Sequence, residues 1–497
     1  MDFNWLTTII FLPALGALLI AFVPKLSSRG IKWLAAVFTF IPLALSIYLF
    51  VIFDRSAGMA GVMQFEENVS WISAIGANYH LGVDGLSLPL MLLMAFLGFL
   101  VVLISWKIDL RPREYFAWLL LLETSILGVF CSLDLLLFFL FWEIEVIPMY
   151  FLISIWGTGR REYSAIKYVV YTLFGSAFML AGILSLYFTT GSLNMVAIAQ
   201  GGLGMVQTAM PAAAIFFMLL VGFAVKLPVF PLHSWLPDAH TDAPTAVSVV
   251  LAGALLKMGG YGMIRACVSI FPGVAKDYAL LLIILAVISI LYGAAVTLRQ
   301  TDLKRLIAYS SISHMGYVLL GVFALGQVSL TGAALQMFSH GVITGLLFAV
   351  AGLVMHNTGE RNLNKLGGLA RQMPVIVVVF SIAGFASLGL PTTSGFIAEF
   401  MVFVGSFSSG VVSGIQVATI LAILGVVLAA GYILWMLQRV FYGEPLKKFD
   451  GVKDASVLDR VYMFAFVAVI MLVGIYPAIL TDVIKLGVAP VVGLLGG

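Results

Sequence analysis

The sequence predicts an all-α, polytopic membrane protein of about fourteen transmembrane helices. Three observations predict it: an apolar composition, a series of hydrophobic runs long enough to span, and basic residues that return in every second loop. Hydrophobic residues make up 62% of the chain, charged residues 10%, and the mean hydropathy is +1.12. A soluble domain carries far more surface charge, so a bilayer is the solvent that fits. A spanning helix takes roughly 20 apolar residues, and 497 residues leave room for about fourteen with short loops.

The runs, numbered spans 1 to 14, fall at 4–24, 31–53, 84–106, 114–132, 134–156, 164–188, 209–232, 243–267, 277–298, 304–325, 330–356, 373–405, 412–441 and 458–482. The first lacks a basic leader and a small-residue cleavage site, so 4–23 reads as a span and not as a cleaved signal peptide. Lys and Arg gather on one side of a membrane and so test the count. Loop 1–2 holds Lys25, Arg29 and Lys32, and loop 3–4 holds Lys107, Arg111 and Arg113. Loop 5–6 holds Arg160, Arg161 and Lys167, and loop 9–10 holds Arg299, Lys304 and Arg305. Loop 11–12 holds Arg361, Lys365 and Arg371, and loop 13–14 holds Arg439, Lys447, Lys448, Lys453 and Arg460. Arg55 and Lys276 are the exceptions on the other side, and loop 7–8, with Asp238 and Asp242, breaks the pattern on the basic side. The alternation predicts an even count with both termini on the outer side. The expected location is a bacterial inner (plasma) membrane.

Between the spans, loop 54–83 carries Glu66, Glu67 and strand-like patterning, which predicts a hairpin or interfacial segment. The stretch after residue 441 is the most polar and predicts an amphipathic connector before span 14. The expected division is 1–110 (spans 1–3), 111–270 (spans 4–8), 271–441 (spans 9–13) and 442–497 (connector and span 14). Cys131 and Cys267 lie at or inside apolar segments, without disulfide or metal spacing. There is no polybasic tail and no nucleic-acid motif, so the bilayer is the expected partner and nucleic acid is not.

Several ionisable residues lie far from any predicted span end: Glu143, Lys226, Lys257, His314, His340 and Glu399. A charge at a helix centre costs about 2.5–3.5 kcal/mol on insertion scales, a cost that leucine would remove. The bland alternatives are a lysine that snorkels to the interface, an ion pair that locks two helices, or a hydrogen-bonded core histidine. Snorkelling suits Arg265, near its span end, and suits Lys257 poorly, since a dozen apolar residues precede it and MGGYG follows. Glu123 and Glu145 are weaker candidates. Burial favours the neutral form of both lysine and glutamate, which brings each closer to changing state near neutral pH. A Lys–Glu contact at about 4 Å gains roughly 4 kcal/mol at an effective dielectric near 20, enough for a proton switch when it opens and closes.

Two spans are interrupted by Pro and Gly. One reads KLPVFPLHSWLPDAH, with Pro228, Pro231 and Pro237; the other reads SLGLPTTSGFIAEF, with Gly389, Pro391 and Gly395. Lys226 lies beside the first break and Glu399 beside the second. Broken helices in corresponding places of two halves point to a midplane ion site in inverted-repeat transporters. Two ordinary proline kinks are the plain alternative. Spans 4–8 and 9–13 would be the two repeats.

These same stretches carry a resemblance. FFLFWEIEVIPMYFLISIWG, AVKLPVFPLHSWLPDAHTDAPTAVSVVLAGALLKMGGYGMIR, RLIAYSSISHMGYVLLG, GLPTTSGFIAEF and GVDGLSLPLMLL are similar to the antiporter-like membrane subunits of respiratory complex I. The run VLAGALLKMGGYGMIR resembles the chain M (subunit 4) branch more than its sister chains L and N or the sodium/proton antiporter subunits. The resemblance extends over nearly the whole chain. It implies two inverted five-helix repeats with discontinuous spans 7 and 12. It also implies a proton relay in which Glu143 pairs with Lys226, Lys257 connects the halves, His314 and His340 pass protons between them, and Glu399 ends the line. His233, two turns beyond Lys226, would join the hydrated path. Glu145 departs from the pattern of many relatives, which have an apolar residue there, although the cyanobacterial and plastid branch of the family also carries an acid.

The expected function is a proton-translocating subunit of an NADH:quinone oxidoreductase. No cofactor is expected in this chain; NADH, FMN, iron–sulfur clusters and quinone would belong to partner subunits, and the neighbouring antiporter-like chains would be its nearest partners. The alternatives are a sodium/proton antiporter subunit, a membrane subunit of a ferredoxin- or hydrogenase-linked complex, and a scaffold whose charges are packing pairs.

Overall fold

A computed structural model describes residues 3–59, 61–201 and 210–496. Twelve helices among them are long and apolar enough to cross a membrane, and they coincide with spans 1–6, 8–11, 13 and 14. The other two predicted spans are pairs of shorter helices. Span 7 is Ala212–Lys226 followed by Trp235–Asp242, and span 12 is Pro374–Ser387 followed by Ser394–Phe407. Spans 8 (Thr245–Val268) and 11 (Gln327–Thr358) are wholly buried and span 10 (Leu303–Phe323) nearly so, whereas spans 1, 2, 6, 13 and 14 leave most of their surface bare. The middle of the bundle is therefore spans 8, 10 and 11, whose apolar lengths face protein nearly throughout.

The breaks have local causes. Pro228 has no N–H to donate and its ring excludes the preceding carbonyl. The chain answers with Val229 N–H bonding Ala224 O at 2.9 Å, and the indole of Trp235 fills the freed Val225 carbonyl at 2.9 Å. In span 12 Gly389 takes φ +76°, a left-handed turn that glycine adopts without a side-chain clash. Span 5 (Leu135–Trp156) is also irregular: the helices Leu135–Ile144 and Val146–Trp156 meet at Glu145, because the ring of Pro148 displaces the carbonyl of Ile144. Span 8 carries two widened π turns, Leu251–Leu255 and Met263–Val268, on either side of Leu256–Gly262.

The predicted hairpin is present. Strand β1 (Gln64–Ile72) pairs antiparallel with β2 (Ala77–Val83) across a turn at Gly76. Glu67 on β1 accepts the backbone N–H of Leu6 at 2.7 Å, which places the N-terminus on the hairpin face. The chain end departs from expectation. Span 14 stops at Ile475 and not at 482, and Ala478–Leu494 forms a further helix with Leu480, Val483, Ile484, Gly487, Val488 and Val491 on its buried side. Its backbone abuts Gly85 and Leu86 before span 3, Pro490 meets Gly61, and Lys276 bonds Leu495 O. All these contacts lie on the hairpin face, so this helix runs along that face and does not cross.

The opposite face is tied together by the predicted basic loops. Lys32 of loop 1–2 pairs with Asp109 of loop 3–4 at 2.9 Å, and Lys107 pairs with Asp459 at the start of span 14 at 3.3 Å. Asp238 of the second half of span 7 receives Lys167 at 2.7 Å, Arg305 at 3.3 Å and Arg160 at 4.0 Å. The one acidic loop on the basic side is thus the counter-ion of its neighbours.

Two matching clamps brace the bundle. Asp134 caps span 5, accepting from Leu136 N at 2.8 Å, and its strand residues bond the Leu193–Met195 segment. Asp302 caps span 10, accepting from Arg305 N at 3.1 Å, and its neighbours bond the Arg361–Leu363 segment. Each clamp joins an Asp to an Asn sixty residues later, Asn194 or Asn362, in the same Thr-Gly-x-x-Asn turn. The first clamp touches the hairpin through Leu133 N and His80 O at 2.9 Å, while the second lies among the basic loops. The same device therefore recurs on opposite faces.

Candidate functional site

Lys226 is the last residue of the first half of span 7, where the helix C-terminal dipole favours a cation. Its ammonium contacts the carboxylate of Glu145. The hydroxyl of Tyr168 accepts from Lys226 at 3.0 Å and donates to the other Glu145 oxygen at 2.6 Å. The three close a buried triad, with the Trp142 ring 5.6 Å from the ammonium. This corrects the pairing implied by the resemblance, which gave Lys226 to Glu143. Two residues along an ideal helix are about 200° apart, and it is Glu145 that the lysine bonds, not Glu143. Glu143 is half-buried and its Oε1 has no hydrogen-bond partner.

The other core candidates form a continuous line. Lys257 points into the interior of span 8, donating to the Ala252 carbonyl and lying 2.8 Å from His340 Nδ1. The π turn makes the first bond available: Leu256 N–H bonds Leu251, five residues back, and leaves Ala252 O to the lysine. His340 and His314 have ring centroids 5.6 Å apart. His314 Nδ1 lies 3.2 Å from Glu399 Oε1, and its Nε2 lies 3.2 Å from Ser387 Oγ. A gap of about 10 Å³ between His314, Gln336, His340 and Glu399 is close to the size of one water probe. Glu399 packs on Gly389, where a Cβ would lie 2.9 Å from Oε2. Among the described residues no hydrogen bond joins the Lys226 triad to Lys257.

Two candidates stand apart from this line. His233 is buried with Nδ1 unpartnered, its ring 5.0 Å from Tyr292 and 5.6 Å from Phe230. Glu123 is buried on span 4 against Gly98, where a Cβ would come within 2.6 Å of its carboxylate. Arg265 does not snorkel. It is buried, with Nη2 2.7 Å from Asp84 Oδ1.

The structure adds residues that the sequence reading passed over. Tyr168 carries no sequence signal, being one tyrosine among several on span 6. His240, in the second half of span 7, is wholly buried, stacks on Phe348 at 4.7 Å and has neither ring nitrogen partnered. Lys304 is buried too, bonding Ala243 O at 2.6 Å and lying 3.4 Å from Ser248 Oγ. The signal for both was the proline-rich break, which folds a stretch read as loop back into the bundle. On the basic face a cavity of about 330 Å³ is lined by Lys107, Tyr115, Thr245, Gly352, His356 and Asp459. Among the described residues no group of three or more His, Cys, Asp or Glu could hold a metal ion. Chemically the site offers a buried row of a lysine, two histidines and a glutamate, each able to take up or release a proton, with hydrogen-bonding distances at its two ends and a 5.6 Å ring separation between the histidines.

Comparison with known proteins fits this arrangement. The family described as NADH:quinone oxidoreductase/Mrp antiporter, transmembrane region, matches residues 132–425. The NAD(P)H-quinone oxidoreductase chain 4 1 of Synechococcus elongatus is 42% identical over 485 residues, covering 97% of this chain and 90% of that protein. The NADH-quinone oxidoreductase subunit M of Rhodobacter capsulatus is 39% identical over 512 residues, covering 98% and 96%. A chain of the respiratory complex I from Thermus thermophilus superposes with a TM-score of 0.87 at 29% identity, covering 99% of this chain and 100% of that one. A buried line of lysine, histidine and glutamate, two broken spans and matches that run almost end to end converge on one conclusion: the chain belongs to the NADH:quinone oxidoreductase/Mrp antiporter transmembrane family.

Proposed function

We propose that this chain translocates protons as a membrane subunit of an NADH:quinone oxidoreductase, with the redox chemistry in partner subunits that hold NADH, FMN, iron–sulfur clusters and quinone. The observation that carries the proposal is the line Lys257–His340–His314–Glu399, whose members meet at 2.8 Å, a 5.6 Å ring separation and 3.2 Å. Each is buried, and each can hold or release a proton. Protons reach the line from the basic face, through the cavity beside His356 and past His240. The Lys226–Glu145–Tyr168 triad is the switch of the first half. Its opening withdraws a counter-charge from Lys226 and favours release of the lysine proton. Glu143, half-buried with a free oxygen, is the hand-off point to a neighbouring antiporter-like chain. His233 and Glu123 are reserve groups beside the path.

Counting each broken pair as one crossing gives fourteen, with the hairpin face and both termini outward in a bacterial inner membrane. Residues 111–270 and 271–441 are the two inverted repeats, flanked by 1–110 and 442–497. The twin clamps on opposite faces support the inversion.

The test uses the assembled complex in proteoliposomes. Lys257→Met is expected to cut NADH-driven proton pumping about 100-fold, the usual scale for a lost acid–base group, while the complex still assembles. Pumping at the parent rate would reject the relay. Pumping that needs sodium would move the chain to the antiporter reading instead.

A further inference from the structure

We propose that the buried Asp84–Arg265 pair is a gate on a second release route, running from Lys257 up span 8 to the hairpin face and separate from the route that ends at Glu399. This rests on the proton-translocating reading above. Lys257, Tyr261 and Arg265 follow one another at four-residue spacing, so they stack on one side of span 8 and rise about 12 Å towards the hairpin face. Arg265 sits in the second π turn, Met263–Val268, and widened turns of this kind gather at functional sites. Its Nε donates to the Tyr261 hydroxyl at 3.3 Å, and that hydroxyl reaches the Phe130 carbonyl at 3.3 Å. Its Nη2 donates to Asp84 at 2.7 Å. A buried guanidinium here is an electrostatic barrier to protons, as at the constrictions of selective channels.

Beyond the pair lies a cavity of about 70 Å³, lined by Asp84, Arg265 and Ser269 below and by Gly487 and Pro490 of the terminal helix above. That is room for about two waters. Asp84 is held in its turn by the N–H groups of Leu86 and Ser87, each at 3.0 Å. The turn is coupled to the terminal helix: Gly85 and Gly487 meet backbone to backbone, with no room for a Cβ on either. A shift of the helix Ala478–Leu494 therefore moves Asp84 directly. With the pair closed, Arg265 bars the way. With it open, the Asp84 carboxylate accepts the proton that Lys257 gives up, through intervening water, and passes it to the cavity. The carboxylate returns to its anion and the lysine is left neutral until a proton from the basic face reloads it, so each cycle passes one proton and restores both groups.

The competing account is a plain anchor that pins span 8 to the turn. The double variant Asp84→Asn/Arg265→Gln separates the two, because it removes both charges together and leaves neither one buried alone. In proteoliposomes of the assembled complex, a gate predicts that the double variant raises passive proton leak and lowers the proton-to-electron ratio. An anchor predicts a parental leak and a parental ratio, and that result overturns the proposal. Ser269→Leu provides the second measurement, and it decides the matter if the double variant does not assemble. Ser269 Oγ bonds only Ile264 O, at 2.8 Å, so the change fills the cavity without touching the pair. Slower pumping supports the route and unchanged pumping overturns it. Lys257→Met tests the underlying reading by itself: if that variant pumps normally, the relay fails whatever the gate does.

Discussion

Lys226 meets Glu145 because of a proline three residues further on. The Pro148 ring interrupts span 5 at Glu145 and turns that carboxylate inward, while Glu143 is left on the half-buried side. Removing one partner of a buried pair leaves an uncompensated charge and costs about 3–5 kcal/mol. Glu145→Ala is therefore expected to destabilise the subunit by that order. Glu143→Ala, which breaks no bond, is expected to stay within about 1 kcal/mol. Thermal unfolding of the purified complex checks this, and equal losses from the two variants would return the pairing to Glu143. At this scale the sequence was half legible. The cost of burying charge made every ionisable member of the line visible before any fold was known. Which glutamate faces the lysine depends on a rotation of about 200°, and a neutral tyrosine gives no sign of its role.

The broken spans were legible as elements because Pro and Gly at these positions cannot continue a helix. What the breaks accomplish needed coordinates: one presents Lys226 at a helix end, and the other clears the space that Glu399 occupies. Gly389 does two things there, taking φ +76° and leaving out a Cβ that would sit 2.9 Å from the carboxylate. Gly414 has nearly the same backbone, φ +77°, with nothing near its missing Cβ. Forcing alanine into either conformation costs about 1–3 kcal/mol of strain. Gly389→Ala is expected to lose pumping as well, because Glu399 must move away from His314. Gly414→Ala is expected to lose only stability. Pumping and melting measured on both variants make the comparison, and matching pumping rates would show that the break does not hold the carboxylate in place. The helix Ala478–Leu494 was the element the sequence hid. Its buried stripe is interleaved with polar positions and follows span 14 with hardly a pause, so its first residues were counted into span 14.

At the scale of the whole molecule, the basic loops proved the surest guide. Loops far apart in sequence meet as Lys32–Asp109, Lys107–Asp459 and Arg361–Asp302 on one face, as the alternation of charge required. Each of these pairs has at least one partner open to water and contributes little, about 0–1 kcal/mol, yet together they fix which loops share a side. The repeat of spans 4–8 and 9–13 was expected from the two broken spans alone; the clamps that support it were not legible, since one aspartate and one asparagine per half are too little to stand out in a sequence. Sidedness is open to direct measurement. Cys131 and Cys267 are buried, so the background for a membrane-impermeant thiol reagent is low. Ser70→Cys on the hairpin is expected to label from outside intact cells, and Lys447→Cys only after the membrane is opened. The reverse pattern would invert the orientation.

The line from Lys257 to Glu399 runs across the bundle, from span 8 through spans 11 and 10 to span 12, at hydrogen-bonding or ring-to-ring distances throughout. Lys257, His340 and His314 each lie near the middle of their spans, so a proton passed along the line as proposed would travel nearly parallel to the bilayer and cross little of the electrical distance. The work against the membrane voltage, about 2.3 kcal/mol per charge at 100 mV, falls on the vertical legs that join the line to the two faces. Voltage should therefore slow loading and unloading of the line, and leave the traffic along it nearly untouched.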